Sequence, residues 1–175
     1  MGGDRLDINA LYTTDNINTV SGEDRLMEGT GCDRRLLLII QDQTIGGRTR
    51  IQKYGFYIYQ KYPVVDEYGF YTDWKPNHFG PYSQELADGI DAAVRDGHLI
   101  EIRDEKSGTE FKKYRLSVEA SKEYKELKRE KGFLEDMQKL IKHLQGLSLM
   151  TVLKQVYWDY PEFAAQGLIR GREDH

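Results

Sequence analysis

Cysteine is almost absent from this chain. Cys32 is the only one among 175 residues, so no intramolecular disulfide can form and a reducing compartment, the cytoplasm, is the expected setting. A catalytic Cys32 would require a histidine partner and an electropositive setting, and its neighbours in sequence supply neither. Long hydrophobic runs are missing as well. The longest, Leu36–Ile40, falls far short of the ~20 apolar residues of a membrane-spanning helix. Asp4 and Asp7 stand early and no apolar stretch accompanies them, so a secretory signal is not expected. Histidine is scarce too. His78, His98, His143 and His175 are far apart and have no ligand spacing, so no metal site is expected. There is no phosphate loop, no Gly-x-Ser-x-Gly and no paired-carboxylate motif, and Gly46-Gly47 reads as a turn. Neither enzyme chemistry nor a cofactor is expected.

What is present suits one globular domain with extensions. Apolar residues make up 39% of the chain, enough for a core, and charged residues 31%. The net charge of -4 does not advertise a nucleic-acid binder. It is unevenly spread, because residues 1–33 hold seven acids against Arg5 and Arg25. The rest of the chain is near neutral and can carry a basic face.

Residues 1–32 are rich in Asn, Thr, Gly and Asp and read as an acidic irregular arm, with one short strand near Leu6–Tyr12. A first helix is expected from Asp33, its cap, to about Gln43, with Leu36–Ile40 buried. Thr49 and Gln52 fit a capping box for a second helix, along which Ile51, Tyr54, Ile58 and Tyr62 recur at helical spacing until Pro63. Residues 64–82 read as loop or short strand. Ser83 caps a third helix with Leu86, Ile90 and Val94 inward, ended by Gly97. His98–Asp104 and Phe111–Ser117 form a hairpin around Lys106-Ser-Gly108. Three helices followed by a two-stranded wing is the order of a winged helix-turn-helix. The expected fold is therefore α+β, mostly α, with the winged helix over residues 33–117. A helical extension follows over 118–168, and a polar tail over 169–175.

Four stretches in this order carry a family resemblance. They are Arg48-Thr-Arg-Ile-Gln-Lys53, Phe79-Gly-Pro-Tyr-Ser-Gln-Glu-Leu86, Asp96-Gly-His-Leu-Ile-Glu101 and Tyr114-Arg-Leu-Ser117. Together they resemble the YwgA-like family and, more distantly, are similar to the Panacea-type antitoxin domain. The resemblance spans about residues 35–165. It implies a winged-helix type of fold more than an activity. Ser117 stands where that pattern has threonine, which keeps the capping hydroxyl.

Winged helices usually lay the third helix in the major groove and the wing on the backbone. The third helix here carries Glu85, Asp88, Asp91 and Asp96 against Arg95, and carboxylates on that face repel phosphate. Cations lie elsewhere. Arg48, Arg50, Lys53 and Lys61 sit on the second helix without acids, and Arg103, Lys106, Lys112, Lys113 and Arg115 on the wing against Asp104, Glu105 and Glu110. The first reading is a DNA-associated regulator or antitoxin-like factor on double-stranded DNA. Arg48, Arg50, Lys53, Lys106, Lys112 and Lys113 would meet phosphate, and Gln84 and Arg95 would read bases. The competing reading treats these cations as solvated faces and the chain as a protein-interaction module.

Eleven of the 20 aromatics fall between Tyr54 and Tyr82. Tyr54, Phe79 and Tyr82 are expected in the core, whereas Tyr57, Tyr59 and Trp74 are open between core and partner surface. With Asp88 and Asp91 they form the surface of the interaction reading. Phe133, Met137, Leu140 and Leu144 recur at heptad spacing. That seam pairs with a second copy in a homodimer or packs on its own domain.

Overall fold

The computed structural model describes residues 31–105 and 111–164. The arm with its strand near Leu6–Tyr12, the wing turn with Lys106, and the tail all lie outside the described residues. The architecture is α+β and mostly helical, with two small antiparallel sheets.

Helix α1 (Arg34–Ile40) opens on Asp33, whose carboxylate accepts from the Arg35 amide at 2.9 Å. Leu36 to Ile40 are all buried. A helix apolar on every side has to be enclosed, and α1 is packed by the second helix, by the sheet and by two helices of the C-terminal extension. A short strand β1 (Ile45–Gly46) leads into α2 (Arg48–Lys61). A 3-10 turn (Pro63–Tyr68) and a hairpin, β2 (Lys75–Asn77) and β3 (Gly80–Tyr82), precede α3 (Gln84–Arg95). Strands β4 (Leu99–Asp104) and β5 (Phe111–Leu116) pair antiparallel, and β1 adds to β5, so the sheet order is β1-β5-β4. The extension is α4 (Val118–Glu130), α5 (Leu134–Gln145), α6 (Leu149–Asp159) and a 3-10 turn (Pro161–Phe163). Ser117 and Ser148 cap α4 and α6 through their hydroxyls. No helix among the described residues is long and apolar enough to cross a membrane.

One expectation is corrected and two open readings are decided. Helix α2 starts at Arg48 behind Gly47, with no side-chain cap, because Gln52 is engaged elsewhere and no capping box forms. Over residues 64–82, read as loop or short strand, the chain forms the 3-10 turn and the two short strands of the hairpin. The heptad seam faces inward: Met137 and Leu144 are fully buried, and Phe133 and Leu140 pack half-buried on the same core. The apolar row that a partner helix would need is spent on α1 and α2.

Candidate functional site: the face of α2, α3 and the wing, and the cleft beside it

Helix α2 delivers one arginine to the surface network and one lysine to the interior. The Arg48 guanidinium donates to Asp91 Oδ1 at 2.6 Å and to the Tyr114 hydroxyl at 3.0 Å, and sits 3.9 Å from Glu101. The Tyr114 hydroxyl donates onward to Glu101 at 3.1 Å, and Lys112 Nζ lies 3.0 Å from the other Glu101 oxygen. Asp91, Arg48, Tyr114, Glu101 and Lys112 thus form one chain of charge-assisted bonds from α3 across α2 to strands β4 and β5. The Lys112 bond leads in holding Glu101 below the usual carboxylate range, with Tyr114 adding to it against partial burial. Burial works against the Arg48 charge, but the bonds to Tyr114 and Asp91 outweigh it and raise its pKa.

The other expected DNA contacts among the described residues are engaged as well. Arg50 donates to the Leu147 carbonyl at 3.0 Å and to the Tyr54 hydroxyl at 3.3 Å. Lys113 pairs with Asp104 at 3.1 Å, and Arg95 with Asp96 at 3.4 Å. Gln84 donates to Asp88 at 2.9 Å. Lys53 is 2% exposed and cannot meet a DNA backbone, which corrects its assignment. Tyr57, 1% exposed, is core and is corrected likewise, while Tyr59 and Trp74 are half-buried against the core. Phe79 is corrected the other way. It stands at the turn of the β2–β3 hairpin and is 50% exposed, because a turn tip lifts its side chain off the core. Asp88 and Asp91 are exposed as expected.

The two sequence motifs meet in space. Gln52 Nε2 donates to the Ser83 carbonyl at 2.9 Å, and the Ser83 amide donates to Gln52 Oε1 at 2.8 Å. At the next residue, Lys53 Nζ donates to the Pro81 carbonyl at 2.7 Å. Ser83 Oγ accepts from the Leu86 amide at 3.0 Å and donates to Asp73 Oδ1 at 2.5 Å, and Asp73 Oδ2 accepts from the Glu85 amide at 3.0 Å. Burial would raise the Asp73 pKa, but Ser83 and the α3 amides overcome it and lower the pKa. The Gln-Lys and Gly-Pro-Tyr-Ser motifs are therefore two halves of one clamp that fixes where α3 begins.

A cleft of about 310 Å³ opens beside the clamp. Arg48, Thr49, Gln52 and Lys53 line it from α2, residues 77–80 and Tyr82 from the hairpin, and Ala87 and Ile90 from α3. Lys53 is held near pKa 7 by burial alone. Among the described residues, its one hydrogen bond is that to Pro81. Gly80 has φ 85°, and a β-carbon there would lie 3.2 Å from the Tyr157 ring, 3.6 Å from the Tyr157 hydroxyl and 3.6 Å from Lys53 Cε. The Tyr157 hydroxyl is buried and has no hydrogen-bond partner among the described residues. Sequence reasoning quoted both motifs but not this cleft, which needs the contact between residues some thirty positions apart. Among the described residues, no group of three or more His, Cys, Asp or Glu is placed to hold a metal ion.

Compared with family models, curated proteins and solved structures, the chain matches none.

Proposed function

We propose that the chain is a winged helix-turn-helix module whose third helix does not read DNA and which engages a protein partner instead. Support for the fold reading is the succession α1, β1, α2, α3, β4, β5 with the sheet order β1-β5-β4. Its departure is the hairpin and 3-10 turn between α2 and α3, where a helix-turn-helix ordinarily has a turn of about 3–4 residues.

One observation carries the functional reading. Every described cation assigned to phosphate or bases is bonded in-chain, to Asp91, Glu101, Asp104, Asp96 or a backbone carbonyl. A DNA backbone would have to displace those acceptors, and the exposed row of α3 keeps Glu85, Asp88 and Asp91 against it. Two exposed aromatics favour a protein partner. Phe79 crowns the hairpin, and Trp158, 87% exposed, stands on α6, against which β3 packs. Exposed aromatic side chains supply the anchors of protein interfaces.

Anisotropy of a labelled random duplex, read from low to moderate salt, tests the first half. No binding at micromolar protein is expected, and salt-sensitive binding would overturn the proposal. For the second half, a partner recovered with the wild-type chain should be lost with Trp158→Ala and with Asp88→Lys. Equal recovery with both variants sinks the protein reading. Sedimentation equilibrium of the purified chain tells a second copy from a foreign partner.

A further inference from the structure

We propose that the cleft between α2, α3 and the β2–β3 hairpin binds a small organic carboxylate, with Lys53 receiving the carboxylate and Phe79 and Ile90 flanking the apolar body. This stands apart from the partner reading and does not depend on it.

Three observations converge. First, the charge of the lining is one-sided. Arg48 and Lys53 line the cleft together with His78, and no Asp or Glu does, in a chain that is acidic as a whole. Second, donors are left over where the cleft meets the interior. An ammonium has three protons to donate, and that of Lys53 gives one to Pro81. An acceptor oxygen in the cleft would satisfy Lys53 protons that burial otherwise leaves costly. Third, the volume suits a small ligand, since a cleft of about 310 Å³ lies at the lower end of the ~300–1,000 Å³ of small-molecule sites. A carboxylate fits better than a phosphate dianion. Only one unspent ammonium is available, because Arg48 is already held by Asp91 and Glu101.

Binding is coupled to a proton. Burial lowers the Lys53 pKa to about 7, so above that pH the free amine is mostly neutral. A carboxylate favours the ammonium, so the complex takes up a proton and affinity falls as pH rises, by up to about tenfold per unit. The titratable and charged groups around Lys53 are Arg48 on its own helix, His78 and Tyr82 on the hairpin, Tyr157 on α6 and, through Arg48, Asp91 on α3.

Titration calorimetry on the full chain tests this with benzoate, benzyl alcohol and inorganic phosphate. Benzoate should bind at least tenfold more tightly than the alcohol of matching shape, and phosphate should not compete with it. At pH 8.5 the benzoate heat should depend on the ionisation enthalpy of the buffer, showing proton uptake, and at pH 6 that dependence should largely vanish. Lys53→Met should abolish both the preference and the uptake. Equal affinity for acid and alcohol, or no binding of either, overturns the proposal, as does phosphate displacing benzoate. Unchanged proton uptake in a folded Lys53→Met protein overturns it too. If Lys53→Met does not fold, the wild-type buffer dependence and the preference for the acid over the alcohol still decide.

Discussion

Gln52 and Ser83 are bonded to each other twice, side-chain amide to carbonyl and backbone amide to side-chain oxygen, at 2.9 and 2.8 Å. Both residues are buried, so water cannot replace either bond. Gln52→Leu keeps the bulk and strands the Ser83 N–H and C=O. Each stranded group costs about 1–3 kcal/mol, so urea unfolding should show a loss of about 2–6 kcal/mol. Gln52→Glu should fare no better, because it places a charge in the same enclosed position. A loss below about 0.5 kcal/mol, the range of an ordinary surface change, would mean that the clamp does not hold α3 in place.

Lys53 makes stability depend on pH, and the sign follows from the direction of its shift. Its folded pKa is about 7, below the ordinary 10.5. Between those values the unfolded chain holds a proton that the folded chain does not, so stability rises with pH, at up to about 1.4 kcal/mol per unit. Two sets of groups oppose it at the alkaline end. Burial, with Glu123 and Asp33 adding to it, raises the Cys32 thiol to about 12, and burial foremost also raises Tyr57, Tyr71 and Tyr124. These groups lose stability as pH climbs through their unfolded values, near 9 for the thiol and near 10 for the phenols. The clean window is therefore pH 7 to about 8.5. Denaturant midpoints there should rise for the wild-type chain and rise less for Lys53→Met. Parallel curves would show that Lys53 is not desolvated.

Much of the backbone plan was legible because local signals and packing agree. Asp33, Ser83 and Ser117 were readable as caps and all three accept an amide at a helix start. Ile51, Tyr54 and Ile58 recur at helical spacing and are all buried. Legibility failed wherever a side chain had two local options and distance decided between them. Gln52 fits a capping box by sequence, but its amide is claimed by Ser83, far along the chain. Lys53 looked like one more surface cation because nothing near it in sequence says that β3 will cover it. The heptad seam predicted a packed helix without saying whose core it packs on. Two-residue β1 is too short to show any alternation. Of the candidate site, the motifs were visible, whereas their contact and the cleft were not.

If in-chain acceptors are what keep phosphate away, removing them should create DNA affinity. Asp91→Asn with Glu101→Gln leaves Arg48 and Lys112 without their carboxylates. Stability should fall only modestly, because exposed pairs contribute about 0–1 kcal/mol each. Duplex binding should appear at micromolar protein, with a log–log salt slope near -2, about -0.9 for each freed phosphate contact. A double variant that binds no better than the wild-type chain would show that the acidic row of α3, rather than the pairing, excludes DNA. Wild-type binding of equal strength would remove the basis of the partner reading.

The two most contrasting aromatics give the last prediction. Phe56 is fully buried and meets Trp74, Tyr160 and Phe163 edge-on, with ring centroids 5.4, 5.0 and 4.8 Å away. These contacts tie the end of the chain's helical extension to α2, so the extension and the α2 domain should unfold together. Phe56→Ala should cost about 3–5 kcal/mol, in a single transition. Trp158 is 87% exposed, and Trp158→Ala should change stability by less than about 0.5 kcal/mol. The same pair separates by fluorescence. The Trp74 indole donates to the Tyr71 carbonyl at 2.8 Å and is half-buried, so acrylamide should quench the wild-type chain mainly through Trp158 and quench Trp158→Ala much less. A Phe56→Ala protein that loses under about 1 kcal/mol, or that melts in two steps, would mean that residues 149–163 are docked rather than built in. The exposed Trp158 would then belong to a detachable element, and its value as a fixed partner anchor would fall with it.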